Sequence, residues 1–266
     1  NPRGVEMIYL KNAQQLDCMR KAGAMLFEVL NRLKEAVKPG VSTAALDVYA
    51  EQLIRKHKAV PSFLHYEGYP ASLCVSINEQ VVHGIPSEST VLKEGDVVSI
   101  DCGLILDGWQ ADSAFTVGVG TISQENRQLI DVTEKSFFKG ARQAINGNRL
   151  GDVGNAIQTY AESFGYGVIR ELTGHGIGRN MHEDPSVPNY GMPGHGVKLR
   201  PGMTIAIEPM IALGDYHVSQ LEDGWTVVTD DGSVCSHYEH TIAINEKGLP
   251  ELLTYPGYAL TEEPRT

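Results

Sequence analysis

The stretch Leu92-Lys93-Glu94-Gly95-Asp96-Val97-Val98-Ser99-Ile100-Asp101 returns 107 residues later as Leu199-Arg200-Pro201-Gly202-Met203-Thr204-Ile205-Ala206-Ile207-Glu208. Both read Leu, base, x, Gly, then a β-favouring run that ends in a carboxylate. A basic-x-Gly turn before a strand is a common phrase, but the elements around the two copies repeat as well. Before the first, Leu16, Met19, Leu26, Val29, Leu30, Leu33 and Val37 recur at the spacing of one helix face, and Pro39-Gly40 ends that helix. Ser42 or Thr43 caps a second helix carrying Leu46, Tyr49, Leu53 and Ile54, after which the chain turns at Pro61 and becomes strand-like at Leu73 to Ile77. Before the second copy come helical patterns around Gln128 to Ala144 and from Asp152 to Phe164. Strands then follow at Thr204 to Glu208, Trp225 to Thr229 and Tyr238 to Asn245. The repeat predicts two related half-domains packed face to face, each delivering an acid from the end of a strand.

Within the first half, Asp107-Gly108 separates the strand-like runs Val97 to Leu106 and Trp109 to Gly118, a strong two-residue hairpin signal. That loop sets the register: Leu106 faces Trp109, Gly103 faces Asp112 and Asp101 faces Ala114. Asp101 and Asp112 then share a face and lie diagonally, ~7–8 Å apart at the backbone, with Gly103 leaving room between them. Two carboxylates on an apolar hairpin repel each other and lose hydration unless a cation or a shared proton joins them. Glu208, inside Thr204-Ile205-Ala206-Ile207-Glu208-Pro209-Met210-Ile211, and Glu239, inside His237-Tyr238-Glu239-His240-Thr241-Ile242, meet the same difficulty.

Four such acids with one imidazole form an oxygen-rich, nitrogen-poor set, suited to two divalent ions sharing bridging carboxylates rather than to a lone structural zinc. The candidate imidazole is His175 in Thr173-Gly174-His175-Gly176-Ile177-Gly178, where flanking glycines allow close approach. This glycine spacing is not a dinucleotide fingerprint, and His182-Glu183-Asp184-Pro185-Ser186 lacks the second histidine of H-E-x-x-H. His57, His65, His195 and His217 read as solvated surface. His237 and His240, flanking Glu239, are left open as groups that could orient that acid.

Composition narrows the function classes. With 266 residues and 42% apolar content the chain can bury a sizeable core, which excludes disorder. A formal net charge of −11, from 22 Lys plus Arg against 33 Asp plus Glu, disfavours a broad nucleic-acid or anionic-lipid surface. No apolar run approaches the ~20 residues of a membrane span. The absence of a signal-like start and of paired cysteines among Cys18, Cys74, Cys102 and Cys235 sets the expectation of a cytoplasmic protein with reduced thiols. With no Ser/Pro/Gly-rich linker, residues 1–266 read as a single catalytic domain with a short arm at about 1–10 and a loose surface tail at about 255–266.

Asp101, Asp112, His175, Glu208 and Glu239, set in Ser99-Ile100-Asp101-Cys102-Gly103, Gly174-His175-Gly176-Ile177-Gly178-Arg179, Ile207-Glu208-Pro209 and Tyr238-Glu239-His240-Thr241, resemble the methionine aminopeptidases over nearly the whole chain, from about Met7 to Leu253. The resemblance implies an α+β "pita-bread" fold: two pseudo-twofold-related αβ halves with a curved antiparallel sheet and flanking helices. It implies that Asp101 grips one divalent ion with both oxygens, that Asp112 and Glu239 bridge both ions, and that His175 and Glu208 complete the second. By the same likeness, His83, in Asn78-Glu79-Gln80-Val81-Val82-His83-Gly84, contacts the scissile amide nitrogen and His182 steadies the carbonyl oxygen. Glu208 relays the proton of a metal-bridged water that attacks the first peptide carbonyl.

Phe63, Tyr66, Tyr69, Cys74, Met181 and Trp225 are expected to line the pocket for the methionine side chain, although Phe63 stands where cysteine is common in the bacterial pattern and Met181 where phenylalanine is common. The cofactors implied are two divalent ions (Co, Mn, Fe, Ni or Zn) and a monovalent cation near Asn78. The partners implied are nascent polypeptides beginning with Met and, transiently, the ribosome, with neither nucleic acid as substrate nor membrane. Only 26 residues separate His182 from Glu208, which points to the type I form without an inserted subdomain. Two alternatives have the same fold: a prolidase-like aminopeptidase, which usually carries an additional amino-terminal domain, and a peptide-binding module without catalysis.

Overall fold

Asp107 and Gly108 both take positive φ, 51° and 78°, the handedness a two-residue turn needs to join right-twisted strands. Around that turn, in a computed structural model that describes residues 7–261, Val97–Leu106 and Trp109–Gly118 pair from Leu106↔Trp109 to Val97↔Gly118 without slippage. The register is the one the Asp-Gly loop predicts, including Gly103↔Asp112 and Asp101↔Ala114.

This hairpin lies beside the middle of a nine-stranded sheet. Its second strand pairs with Glu239–Ala243, which pairs with Thr204–Ile207, then Gly174–Gly176 and finally Glu183–Val187, each antiparallel. The two copies of the repeated phrase therefore fall on opposite sides of a seam between Trp109–Gly118 and Glu239–Ala243. The layers respect the same division. Helices α1 (Ala13–Ala36) and α2 (Thr43–Lys56) supply Leu26, Leu33, Leu46 and Ile54 to a core with Val98, Ile100 and Leu104. Helices α3 (Gln124–Gln143) and α4 (Leu150–Glu162) supply Phe137, Val153 and Ile157 to a second core with Ile205, Ile207 and Ile242. Each fully buried side chain of this size stabilises the fold by ~1.5–3 kcal/mol relative to exposure.

Capping explains where the helices begin. Asn12 accepts the Gln15 amide while the Gln15 side chain accepts the Asn12 amide, a reciprocal box ahead of α1. Ser42 caps α2. Ser123 caps α3, which therefore starts four residues before the apolar periodicity becomes visible, and Asp152 accepts the Arg149 amide to start α4 at Leu150.

Some expectations need correction. Pro61 does not merely turn the chain: with Val60 it forms a two-residue strand against Leu104 and Ile105. The strand before Glu208 stops at Ile207, one residue short of the acid. The tail is not loose where it is described: Tyr255 stacks on Phe27 at 5.2 Å and on Tyr258 at 4.7 Å, and Leu260 packs against the second core. The remainder of that tail, 262–266, and residues 1–6 of the arm lie outside the described residues. Cys74, Cys102 and Cys235 are free and buried, and no described helix is long and apolar enough to cross a membrane.

Candidate metal centre

The sheet register brings the acids together. Asp101 and Glu239 both pair with Ala114, one on each side of the seam, and Asp112 sits two residues before Ala114 on the same face. Gly103, opposite Asp112, lets the Phe63 ring and Ser62 pack close, since a Cβ there would approach both to 3.0 Å. From the second half, His175 pairs with Ala206 and Glu208 follows the end of the Thr204–Ile207 strand. Asn189, fully buried, donates its Nδ2 to the Glu208 carbonyl at 3.1 Å and fixes that residue where the ladder has ended.

The resulting distances are those of groups waiting for a shared cation. His175 Nε2 lies 3.6 Å from Asp112 Oδ2 and 3.5 Å from Glu208 Oε1. These separations are at or beyond the limit of hydrogen bonds and of the size that donor atoms keep around one metal ion. His175 Nδ1 lies 2.8 Å from the Gly176 carbonyl, which can only accept; the Nδ1 proton is thereby fixed and Nε2 is left with its lone pair toward the acids. Asp101 Oδ1, Asp112 Oδ1 and Glu239 Oε1 are buried without a hydrogen-bond partner among the described residues. An unpaired buried polar atom costs ~1–3 kcal/mol and more when charged, so three of them in one knot call for a counter-ion.

Titration follows the same physics. Burial, then the charges of Asp112 and Glu208, hold the carboxyls of Asp101 and Glu239 well above the usual carboxylate range. For His175, burial opposes the charged ring, but the Asp112 and Glu208 carboxylates outweigh it and raise its affinity for a proton. Without a metal the cluster retains protons; a divalent cation bound to the same donors takes their place. Carboxylate oxygens with imidazole nitrogen fit such an ion, as the sequence pattern anticipates.

The cluster opens onto one cavity of about 140 Å³, with the acids on one side and an apolar wall on the other. Phe63, Tyr66, Tyr69, Cys74, Met181 and Trp225 all line it, together with His83, His182, Asp101, Asp112, His175, Glu208 and Glu239. The residues that the sequence nominates as divalent-metal ligands, catalytic histidines and pocket wall therefore face one cavity. Tyr69 donates its hydroxyl to the Leu73 and Gly84 carbonyls and meets the Trp225 ring edge-on at 5.0 Å. Burial pushes the Cys74 thiol up, so it packs as a neutral group. His83 is held at φ 60° in front of Gly84, where any Cβ would strike the Val75 carbonyl oxygen at 2.1 Å. Burial lowers the pKa of both His83 and His182, keeping both rings neutral at pH 7. His182 stands at the rim, with Nδ1 2.9 Å from the Tyr66 hydroxyl and its ring edge-on to His175 at 4.3 Å.

The structure separates the two histidines that the sequence leaves open beside Glu239, and it adds Glu67, which the sequence does not single out. His237 is 1% exposed, and its Nε2 lies 3.6 Å from Glu208 and 3.7 Å from Glu239 with no hydrogen-bond partner. The available signal was its position two residues before Glu239, where an extended chain points both side chains the same way. Glu67 joins the cavity rim. His240, by contrast, points away into packing: it bonds Thr254 and Tyr238, and burial pushes it down to about 3. Asn78 does not line the cavity; its side chain accepts the Val97 amide and donates to Asp96.

Comparison with known proteins places this geometry. The family model for metallopeptidase family M24 matches residues 17–246. The methionine aminopeptidase of Clostridium acetobutylicum is 56% identical over 93% of this chain and 99% of its own. The crystal structure of methionine aminopeptidase from Rickettsia prowazekii superposes with a TM-score of 0.91 at 42% identity, covering 93% of this chain and all of that one. An Xaa-Pro dipeptidase from Bacillus anthracis, at 22% identity and a TM-score of 0.75, matches 94% of this chain but only 63% of its own, and shares the fold. The pseudo-twofold sheet, the acids along its seam and these likenesses agree that the chain belongs to metallopeptidase family M24 and, within it, to the methionine aminopeptidases.

Proposed function

We propose that this chain is a dinuclear metallo-aminopeptidase that releases the amino-terminal methionine of nascent proteins and peptides whose second residue is small. The observation that carries the reading is the buried knot of four carboxylates and an imidazole, with oxygens left unpaired, in one cavity with an apolar wall. Asp101, Asp112, His175, Glu208 and Glu239 would hold two divalent ions, for which Co, Mn, Fe, Ni and Zn all suit the donors. Bound there, such ions supply Lewis acidity and an acidified water able to attack an amide at neutral pH.

The chain's own groups select and steer. Phe63, Tyr66, Tyr69, Cys74, Met181 and Trp225 take the apolar surface of the thioether out of water and offer aromatic contacts to its sulfur. The acidic floor attracts a free α-amino group, which an internal peptide bond lacks, and so restricts cleavage to chain ends. Glu208, 13% exposed at its side chain, is the acid best placed to accept the proton of the attacking water and return it to the leaving amine. His83 would contact the scissile nitrogen, and His182 would donate to the carbonyl oxygen as charge develops on it. Nascent chains as substrates put the reaction in the cytoplasm near the ribosome. A net charge of −11 gives no broad attraction to ribosomal RNA, so that contact would be brief and local.

The test is methionine release from Met-Ala-Ser and Met-Leu-Ser by chelator-stripped protein with and without Mn(II) or Co(II). Metal-dependent cleavage of Met-Ala-Ser alone is expected. No release from either peptide by folded, metal-supplied protein would overturn the reading in favour of a peptide-binding module.

A further inference from the structure

Tyr66 does more than wall the pocket. Its hydroxyl lies 2.9 Å from His182 Nδ1, and the two rings meet edge-on at 5.4 Å. No other hydrogen bond to the His182 ring is present among the described residues, and His182 sits at the end of a stretch, 177–182, without helix or strand. Left to itself, such an imidazole could rotate and could carry its proton on either nitrogen.

The backbone around Tyr66 is specialised for this contact. His65 and Glu67, the residues on either side, both adopt positive φ, 69° and 49°, conformations that side-chain-bearing residues rarely take. The turn is closed by Tyr66 N donating to Phe63 O, His65 N to Tyr69 O and Tyr69 N to Tyr66 O. Departures from ordinary backbone geometry on both sides of one residue are the kind of strain that persists where a side chain must be delivered to a fixed point.

We propose that Tyr66 is a positioning residue that fixes the tautomer of His182. The contact geometry fits either direction, but a phenol O–H is a stronger acid than an imidazole N–H and an imidazole nitrogen a stronger base than a phenol oxygen, so the hydroxyl donates; Nδ1 must then be bare, which puts the ring's single proton on Nε2. Nε2–H is then the free edge of the ring, available to donate to the carbonyl oxygen of a bound peptide. In the opposite tautomer the free edge would present a lone pair to that oxygen as it becomes negative. The inference rests on the reading of the site as an aminopeptidase centre and adds the residue that makes His182 a donor.

The test combines Tyr66→Phe, which keeps the ring and removes the hydroxyl, with 15N NMR of histidine-labelled, zinc-loaded protein, the His182 signals being identified by their loss in His182→Gln. In the unsubstituted protein the expected state of His182 is a protonated Nε2 and a bare, hydrogen-bonded Nδ1. In Tyr66→Phe the hydrogen-bond shift at Nδ1 should vanish and both tautomers should appear. Under the most active metal, kcat for Met-Ala-Ser should fall on the order of tenfold with KM within about twofold, the split expected when a group acts in the transition state. A protonated Nδ1 in the unsubstituted protein, an unchanged tautomer and kcat in the variant, or a rise in KM alone would each overturn the proposal and leave Tyr66 as pocket wall. Absence of methionine release by the unsubstituted protein would instead refute the aminopeptidase reading, while the tautomer measurement would still decide whether Tyr66 sets His182.

Discussion

In the half built on Val97–Gly118 both acids stand inside one unbroken ladder, whereas in the other half Glu208 follows the end of its strand and Glu239 begins its own. The ladder needs no help: once Asp107-Gly108 sets the turn, pairing fixes Asp101 and Asp112 to the same face. The strand-end acids depend on side-chain clamps. Asn189 grips the Glu208 carbonyl, and Ser113 Oγ donates to the Glu239 carbonyl at 2.6 Å. Thr241 closes the seam by donating its hydroxyl to the Asp112 carbonyl at 2.8 Å and accepting the Asp112 amide at 3.2 Å. One half therefore serves as a template, and polar cross-links register the other half against it.

The comparison can be broken most severely at the acids. Asp112→Asn from the template and Glu239→Gln from the clamped half should each reduce methionine release by at least ~10³-fold with the fold retained, as measured by turnover of Met-Ala-Ser and circular dichroism. A large loss from one half only would show that the centre is not shared.

Glycines sharpen the contrast in stability. A Cβ on Gly176 would meet the Asp184 carbonyl oxygen at 2.2 Å and its carbon at 2.7 Å, backbone atoms that cannot turn away. Gly176→Ala should cost roughly 3 kcal/mol or more by denaturant midpoint, whereas Gly103→Ala, which presses on the Phe63 and Ser62 side chains at 3.0 Å, should cost about 1 kcal/mol.

Metal removal follows in size, with a definite pH dependence. Asp101 and Glu239 have folded-state pKa values above their unfolded ones, so their protonated forms favour the fold. That contribution is fully present below the unfolded values of 3.8 and 4.5 and is lost as pH rises through the folded ones. The metal-free protein should therefore weaken from acid toward neutral pH as these groups ionise. Mn(II) at a hundredfold excess over its dissociation constant should restore about 2.7 kcal/mol. The gain in Tm on adding metal should be larger at pH 8 than at pH 5; an equal gain would detach these acids from the metal.

The smallest effect tests the seam itself. Thr241→Val removes both cross-links to Asp112 and should cost about 1–2 kcal/mol. A stability loss without any loss of turnover would show that the clamp holds the halves together without placing Asp112.

Which parts were legible in the sequence follows from the same division. The hairpin and its register could be read because a two-residue Asp-Gly loop leaves one pairing, and Asp101 and Asp112 came with it. His175 could be read from its glycines, whose need is visible at Gly176, where a side chain has no room. Asn189 could not, because its contact with Glu208 spans a connection that no periodicity describes. The sequence places His237 and His240 alike beside Glu239 and cannot choose between them; only the break at Tyr238, whose amide turns to Pro209, and the packing of His240 on Thr254 leave His237 alone facing Glu208 and Glu239. The contacts of the tail could not be read for a related reason: no periodicity in that Pro- and charge-bearing surface segment announces that Tyr255 and Tyr258 meet Phe27 and Phe138 on two different helices.

The most direct measurement is metal stoichiometry. Chelator-stripped protein, dialysed against increasing Mn(II) and assayed for bound metal, should take up two ions per chain. Asp101→Asn should lose one of them and Glu239→Gln should weaken both, since the second acid lies on the seam that the halves share. Two ions held equally well by both variants, or none held by the folded protein, would contradict a single centre built jointly by the two halves.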